Sequence, residues 1–350
     1  MSVRIINADV LDGLRQLDDE SVHMVCTSPP YWGLRDYGVD GQIGLEATLP
    51  DHIEKIVAVF REVRRVLRHD GTLWFNYGDA YAGSWGAQSR GEAPGEASAL
   101  SGGQVYAAPK GTHTGSLKRT PGLKPKDLMM LPERLALALQ EDGWWVRSRI
   151  IWHKPNPMPE SIQDRPTKSH EHIWLMARSS TYYFDGEAIK EPRNSVGGSF
   201  VNGWATSGDH SAVAWSRDKG DAKSFRGGGK YTKGQHTSPD AVPRETVGNT
   251  PAVSDQRNCR DVWTVATSGY SEAHFATFPP ELAERCIKAG CPAGGTVLDP
   301  FGGAGTTGLV ADRLQRNAIL IELNPDYAAM ARRRIDGDRG GLLDVMEAAQ

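Results

Sequence analysis

The 350-residue chain has no uninterrupted apolar run near the roughly 18 residues that a membrane-spanning helix needs. Arg4, Asn7 and Asp9 stand among its first ten residues, unlike the apolar core of a secretory signal. The sequence therefore predicts a cytoplasmic protein without a membrane segment. Its length allows about two domains, or one large α/β domain with insertions.

Cysteine is scarce, and its spacing excludes the usual metal sites. Cys26, Cys259, Cys286 and Cys291 form no Cys-x-x-Cys pair, so we expect reduced, buried thiols and no metal. Residues 170–172 are His-Glu-His, which places two imidazoles on one face of a strand without further ligands. We predict a structural or substrate-positioning role for them.

The chain also lacks the large positive charge of a protein that coats nucleic acid, because its net charge is −3. Any contact with nucleic acid must be local. Residues 110–126 carry five Lys and Arg and no acidic residue, and residues 190–260 carry 11 Lys and Arg against 7 Asp and Glu. Solvated loops with incidental charge are the alternative interpretation of both segments.

Strand and helix signals alternate over most of the chain, which predicts an α/β fold with a largely parallel sheet. Thr48 and Asp51 form a helix-capping signal, and Gly290 is expected to end a later helix in a left-handed cap. The predicted strands are 3–6, 22–26, 72–75, 145–152, 173–177, 296–298 and 318–321, and the helices are 51–68, 132–141, 280–289, 307–314 and 326–334. Residues 81–125 and 190–260 show no regular period.

A glycine-rich turn lies between a predicted strand and a predicted helix. Residues 299–307 are Asp-Pro-Phe-Gly-Gly-Ala-Gly-Thr-Thr, without the lysine of a phosphate-binding P-loop. Glu322 ends the next strand, where a carboxylate can accept hydrogen bonds from a ribose diol. This favours a nucleoside bearing a carboxylate, and S-adenosylmethionine fits; a dinucleotide site or a purely structural turn are the alternatives at this point.

A second motif follows the strand at 22–26. Residues 27–32 are Thr-Ser-Pro-Pro-Tyr-Trp, and two consecutive prolines make a rigid turn that orients its neighbours. A hydroxyl before the prolines and an aromatic ring after them can hold and stack a base flipped out of a duplex. A simple tight turn would be the default for Pro-Pro alone.

Together, residues 27–31 and 299–307 resemble the base-binding and cofactor-binding motifs of the β-class amino DNA methyltransferases. That family places its base motif first, its cofactor motif last and a target-recognition segment between them. The resemblance implies a doubly wound, mostly parallel Rossmann-like methyltransferase sheet with permuted motif order and an irregular target-recognition insertion. The strands ending at Ser28 and Asp299 should then be neighbours, with the ligands at their carboxyl ends.

The resemblance also implies site residues. Asp9 would approach the adenine of the cofactor, Phe301 would pack on it, Glu322 would hold the ribose, and residues 274–279 would close over the methionine end. The implied catalytic residues are Ser28, Pro29, Pro30 and Tyr31. The implied cofactor-binding residues are Asp9, Thr277, Phe278, Asp299, Pro300, Phe301, Gly302, Gly303, Gly305, Thr306, Glu322 and Asn324. The candidate DNA-binding residues are Lys118, Arg119, Arg217, Lys219, Lys223, Arg226 and Lys230.

These assignments divide the chain into six predicted segments. They are the base-binding half of the core (1–80), a flexible insertion (81–127), the core continued (128–185), the target-recognition region (186–265), the cofactor-binding half (266–335) and a tail (336–350). The expected partners are double-stranded DNA and a cognate restriction endonuclease, with the protein a monomer or a homodimer.

The expected reaction transfers a methyl group to the exocyclic amino group of a base, with cytosine N4 favoured by a serine before Pro-Pro-Tyr. Adenine N6 is the nearest rival, and RNA or protein amine methylation and a catalytically silent DNA-binding protein are further alternatives. Methylation at ring carbon 5 needs a cysteine nucleophile, and the chain has no Pro-Cys loop, since Cys291-Pro292 has the reverse order.

Overall fold

The computed structural model describes residues 1–33, 37–82, 122–124, 126–192, 200–201, 204–205, 255–268 and 278–348. Most of the predicted insertion at 81–125 and of segment 190–260 lies outside these residues, as do Thr277 and the seven candidate DNA-binding side chains. No helix in the described part of the chain is long and apolar enough to cross a membrane.

The structure contains six described α-helices, which are α1 (Val10–Arg15), α2 (Leu49–Val66), α3 (Leu131–Glu141), α4 (Pro280–Gly290), α5 (Thr306–Arg313) and α6 (Pro325–Ala348), and a short 3-10 helix at Glu187–Ile189. The described strands are β1 (Val3–Asn7), β2 (Val22–Thr27), β3 (Leu67–Tyr77), β4 (Trp145–His153), β5 (His170–Ala177), β6 (Glu191–Pro192), β7 (Phe200–Val201), β8 (Trp204–Ala205), β9 (Gln256–Arg257), β10 (Val262–Thr264), β11 (Thr296–Asp299) and β12 (Asn317–Glu322).

Eight strands form the central sheet in the order β1-β12-β11-β2-β3-β5-β4-β10. Every neighbouring pair is parallel except the two that involve β5. The predicted α/β sheet with permuted order is therefore confirmed, and β2 and β11 are neighbours, with Met24 opposite Val297. The carboxyl ends of β2, β3, β4 and β11 and the amino end of β5 consequently meet at one edge.

Helices cover both faces of this sheet, as a doubly wound fold requires. On one face α1, α2 and α3 bury apolar side chains such as Leu14, Phe60 and Leu135. On the other face α4 and α5 bury Ile287 and Val310 against the sheet. Thr48 caps α2 as predicted, since its side chain accepts a hydrogen bond from Asp51 N.

The thiols are free, as expected, but they are not all buried. Cys26, Cys286 and Cys291 are buried in the core, whereas Cys259 is partly exposed. Burial raises the pKa of Cys291 to about 12, which keeps that thiol protonated.

Two predictions about helix ends are wrong. Gly290 remains inside α4, and the following Cys291 is extended rather than left-handed. A Cβ on Gly290 would lie 2.6 Å from Trp74 Nε1 and 2.9 Å from Met24 Sδ, so this glycine serves close packing. The last helix, predicted to end at 334, continues as α6 to Ala348 through most of the predicted tail.

The chain divides into two units, residues 1–189 with 258–350 and residues 190–257. The first unit contains the eight-stranded sheet and its helices. The second unit, as far as the structure describes it, contains the short antiparallel pairs β6-β9 and β7-β8. Its bounds lie within the segment predicted for target recognition.

Candidate active site

A buried carboxylate joins the two motifs where β2 and β11 end. Asp299 Oδ1 accepts hydrogen bonds from Thr27 Oγ1 at 2.6 Å and from Phe301 N at 3.1 Å. Its other oxygen accepts from Thr307 Oγ1 at 2.7 Å. Burial raises the pKa of Asp299, while these hydrogen bonds act in the opposite direction. Three protein donors thus engage the Asp299 carboxylate, which fixes the motifs to one another, and its role in cofactor binding stays a prediction.

The glycine-rich turn after β11 is closed by Glu322 at the end of β12. Gly303 N donates to Glu322 Oε2 at 2.7 Å, and Asn324 N donates to Oε1 at 2.8 Å. Gly303 has a φ of 49°, in the left-handed region that favours glycine. Burial raises the pKa of Glu322, and the two backbone donors favour its ionised form.

A cavity of about 330 Å³ opens at this edge of the sheet, a size suited to a small-molecule ligand. Both motifs line it. The predicted site residues in its wall are Asp9, Ser28, Pro29, Pro30, Tyr31, Phe278, Asp299, Pro300, Phe301, Gly302, Gly303, Thr306, Glu322 and Asn324. The structure thus brings together all the described candidates except one.

The exception is Gly305, which does not line the cavity. Its φ is 77°, and a Cβ there would lie 2.7 Å from Ala331 Cβ. Gly305 therefore lets the start of α5 approach α6, and its contact with the cofactor stays a prediction.

The cavity wall fits the predicted cofactor, S-adenosylmethionine. Glu322 presents a carboxylate at a strand end, the position at which related folds accept hydrogen bonds from a ribose. Phe301 supplies an apolar face, and Asp9 lies at the end of β1, where its side chain caps α1 by accepting from Leu11 N at 2.9 Å. Phe278, from the segment expected to close over the methionine end, also lines the cavity.

The base motif lies in the same cavity, and Tyr31 is its best-connected residue. Its hydroxyl is 3.5 Å from Ser28 Oγ, 3.0 Å from Asn76 Oδ1 and 3.2 Å from Glu171 Oε2. Burial and the negative charge of Glu171 raise the pKa of Tyr31, so it remains a neutral hydrogen-bond donor. A Cβ at Gly78 would lie 2.6 Å from the Tyr31 ring, so glycine leaves room for that ring.

Several polar residues of this wall were not predicted as site residues, and three of them form a cluster. Asn76 lies on β3, Glu171 lies on β5 and Lys154 directly follows β4, and all three line the cavity. Burial opposes ionisation of Glu171, but Lys154, Lys168 and Asn76 hold its pKa below the ordinary value. The His-Glu-His sequence at 170–172 was the one sequence signal for this cluster, and no pattern marked Lys154.

A buried polar network supports the segment beside the base motif. Glu46 Oε2 is 2.8 Å from His52 Nδ1 and accepts from Gly44 N at 3.0 Å, and His52 Nε2 is 2.7 Å from Tyr77 OH. Burial opposes ionisation of Glu46, but His52, a backbone donor and Lys55 hold its pKa at about 2. The ring of Tyr77 lies 4.8 Å from that of Tyr31, so the network connects the 37–48 segment to the base motif.

Comparison with known proteins finds a family model and relatives that match most of the chain. A family model described as DNA methylase matches residues 22–333. The Type II methyltransferase M.XycI of Xanthomonas campestris pv. cyanopsidis is 39% identical over 349 residues, covering 98% of this chain and 91% of the relative. The Type II methyltransferase M.SmaI of Serratia marcescens is 40% identical over 339 residues, covering 95% and 91%.

Solved structures share the fold. A cytosine-N4-specific PvuII DNA methyltransferase has a TM-score of 0.56 at 17% identity, covering 95% of this chain and 86% of that one. A Thermus thermophilus protein assigned as a DNA modification methylase, complexed with S-adenosyl-L-methionine, has a TM-score of 0.51 at 21% identity, covering 97% and 96%. The predicted family resemblance and its cofactor, S-adenosylmethionine, are confirmed: the chain belongs to the DNA methylase family of N6 and N4 amino methyltransferases.

Proposed function

We propose that this protein transfers a methyl group from S-adenosylmethionine to the exocyclic N4 of a cytosine in double-stranded DNA. The observation that carries the choice of base is Ser28, which lines the cavity shared with the cofactor turn and contacts Tyr31 OH. This serine stands before Pro-Pro-Tyr, the feature of the family resemblance that favours cytosine N4, and its hydroxyl can accept a hydrogen bond from the amino group and donate one to the neighbouring ring nitrogen.

The base motif would make the amino nitrogen a better nucleophile. The nitrogen lone pair of cytosine is delocalised into the ring. Ser28 Oγ and the Pro29 carbonyl would accept its two hydrogens and favour a pyramidal nitrogen, and positioning supplies much of the rate. Tyr31 would offer a stacking face, worth about 1 to 3 kcal/mol for a base. Pro29 and Pro30 remove two backbone donors and fix the turn that orients these groups.

The cofactor turn would hold the methyl donor on the opposite side of the cavity. S-adenosylmethionine supplies an electrophilic methyl group when bound. Glu322 would accept from the ribose diol, Asp9 would approach the adenine and Phe301 would pack on it. Asp299, Pro300, Gly302, Gly303, Gly305, Thr306, Asn324, Phe278 and Thr277 complete the proposed cofactor site. Glu322 is already held in place by Gly303 N and Asn324 N, so little side-chain entropy remains to be lost.

Sequence recognition would belong to residues 186–265, which contain the second structural unit. Local positive charge with interspersed aromatic residues supports this, as does the placement of both motifs in the first unit. The matched relatives are named Type II methyltransferases, which supports a role beside a cognate restriction endonuclease.

The proposal is tested by mass spectrometry of nucleosides from the DNA of cells expressing the protein. N4-methylcytosine should appear with the wild-type chain and fall strongly with Ser28→Ala. DNA that carries N6-methyladenine and no N4-methylcytosine would show that the substrate base is wrong, while the family and its cofactor would stand.

A further inference from the structure

One wall of the cavity carries a charged pair to which the proposed chemistry gives no role. The ammonium of Lys154 contacts Glu171 Oε1 and lies 4.3 Å from the centre of the Trp152 ring. All three side chains line the cavity that contains Ser28. Lys154 and Glu171 keep only 18% and 16% of their side-chain surface exposed. Charges this enclosed are costly unless their hydrogen-bonding capacity is used.

The sheet places this pair and Ser28 along the same edge. β2 and β4 are parallel strands separated by β3 and β5, so the residues that follow their carboxyl ends lie at one edge of the sheet and line the same cavity. At about 4.8 Å between adjacent strands, the two strand ends are about 14 Å apart. A pyrimidine held by hydrogen bonds at both ends, together with the long lysine side chain, would span that distance.

A continuous set of polar contacts joins the two ends. Ser28 Oγ lies 3.5 Å from Tyr31 OH, which lies 3.2 Å from Glu171 Oε2. The remaining Glu171 oxygen holds the lysine ammonium. The positive neighbours of Glu171 keep its carboxylate ionised, and this carboxylate holds the Lys154 ammonium in place in the cavity wall.

The hydrogen-bonding edges of the two candidate bases differ at this end. Beside its amino group cytosine presents two acceptors, the ring N3 and the O2 oxygen, whereas adenine presents one ring nitrogen followed by a C–H. An ammonium has three N–H donors, of which a single carboxylate oxygen engages one. We propose that Lys154 donates a hydrogen bond to O2 of the flipped cytosine, with Glu171 positioning the ammonium, so that this pair selects cytosine over adenine.

This inference rests on the proposed N4 function and extends it to base selection. An adenine in the same place would set its C–H against a desolvated ammonium and leave that donor without a partner. A hydrogen bond to a charged group, once lost, lowers the rate on the wrong base by roughly 10- to 100-fold. Lys154 is therefore a specificity-determining residue, distinct from the base motif that activates the amino nitrogen.

The test compares Lys154→Met with wild type on two duplexes, after the target site has been located by mapping N4-methylcytosine in cellular DNA. One duplex carries the target cytosine. In the other a 2-aminopyridine C-nucleoside replaces it, keeping the amino group and adjacent ring nitrogen but lacking the 2-oxygen. At mildly alkaline pH, wild type should lose roughly 10- to 100-fold in kcat/KM on the analogue. Lys154→Met should be equally poor on both duplexes.

Lys168→Met is the matched control. Lys168 is also a partly buried lysine near Glu171, and it donates to Asp79 O, but it does not line the cavity. The Lys168→Met variant should keep the wild-type preference for the duplex whose target base has the 2-oxygen, even if its overall rate falls. Calorimetry with S-adenosylmethionine checks that each variant is folded.

Two results would overturn the inference. If Lys154→Met kept the wild-type ratio between the two duplexes, Lys154 would not contact O2, although N4 methylation would stand. If cellular DNA carried only N6-methyladenine, both the N4 proposal and this inference would fail.

Discussion

At the scale of single residues, base chemistry and cofactor binding should separate by mutation, because the two motifs line different parts of one cavity. Ser28→Ala should keep the affinity for S-adenosylmethionine within a few-fold while turnover falls by about 100-fold or more. Gly303→Val forces a β-branched residue into a φ of 49° at the cavity wall and should weaken cofactor binding by about tenfold. Isothermal calorimetry and a methylation assay measure the two quantities.

Gly294→Val controls for the backbone strain in Gly303→Val. Gly294 has a φ of 74° and open space around it, but it lies outside the cavity. Gly294→Val should reduce the stability of the protein and leave its affinity for S-adenosylmethionine unchanged. Loss of cofactor binding in Ser28→Ala would contradict the separation of the two motifs.

Glu46 predicts a pH dependence of stability. Its pKa of about 2 lies below the ordinary 4.5, so the ionised side chain stabilises the fold above pH 4.5 and this contribution is lost as the pH falls toward 2. The shift corresponds to on the order of 3 kcal/mol. Urea denaturation between pH 5 and about 3 should therefore show a steeper loss of stability in wild type than in Glu46→Gln. Glu54→Gln replaces an exposed carboxylate on α2 and should keep the wild-type dependence of stability on pH.

At the scale of elements, replacing Gly290 or Gly337 by alanine should have opposite effects on the stability of the protein. Gly290→Ala in α4 pushes a methyl group against Trp74 and Met24 and should destabilise the protein by roughly 1 to 3 kcal/mol. Gly337→Ala in α6 meets no atom within 4 Å and should be neutral or stabilise by up to about 1 kcal/mol. Thermal and urea unfolding measure both, and equal effects would refute the packing role of Gly290.

Elements that follow from local rules were predicted, and those that depend on distant neighbours were not. Thr48 caps α2 through contacts three residues away, and the two motifs that follow β2 and β11 predicted that these strands are neighbours. The helix α1, with six residues, and the strand β10, with three, are too short to show a period. Gly290 resembled a cap because nothing in its local sequence indicates that Trp74 packs on it.

The candidate site divides in the same way. The base and cofactor motifs are contiguous, so their residue types and spacing pointed to the chemistry. Asn76 and Glu171 lie on β3 and β5, Lys154 directly follows β4, and the three become neighbours only through the order β3-β5-β4. Their function is therefore visible in the folded molecule and not in any single segment.

At the scale of the whole molecule, the charge balance constrains how DNA is held. A net charge of −3 over 350 residues gives no general attraction to a polyanion, so binding depends on local clusters. The cavity wall adds no positive charge to attract phosphates, since Lys154 is paired with Glu171 and the carboxylates of Asp9, Asp299 and Glu322 also line the cavity. Phosphate contacts must then come mainly from segments outside the catalytic wall, such as 110–126 and 190–260.

The second of these segments is expected to supply most of the phosphate contacts. It has an excess of four positive charges over residues 190–260, taking 7 Asp and Glu from 11 Lys and Arg. Each phosphate contact releases counterions and adds about 0.9 to the slope of log affinity against log salt. Replacing Arg217, Lys219, Lys223, Arg226 and Lys230 together should weaken DNA binding and flatten that slope by about 0.9 per side chain that contacts DNA. Fluorescence anisotropy at several salt concentrations measures it. If these five replacements left the salt slope unchanged and replacing Lys118 and Arg119 reduced it, the phosphate contacts would lie on 110–126 instead.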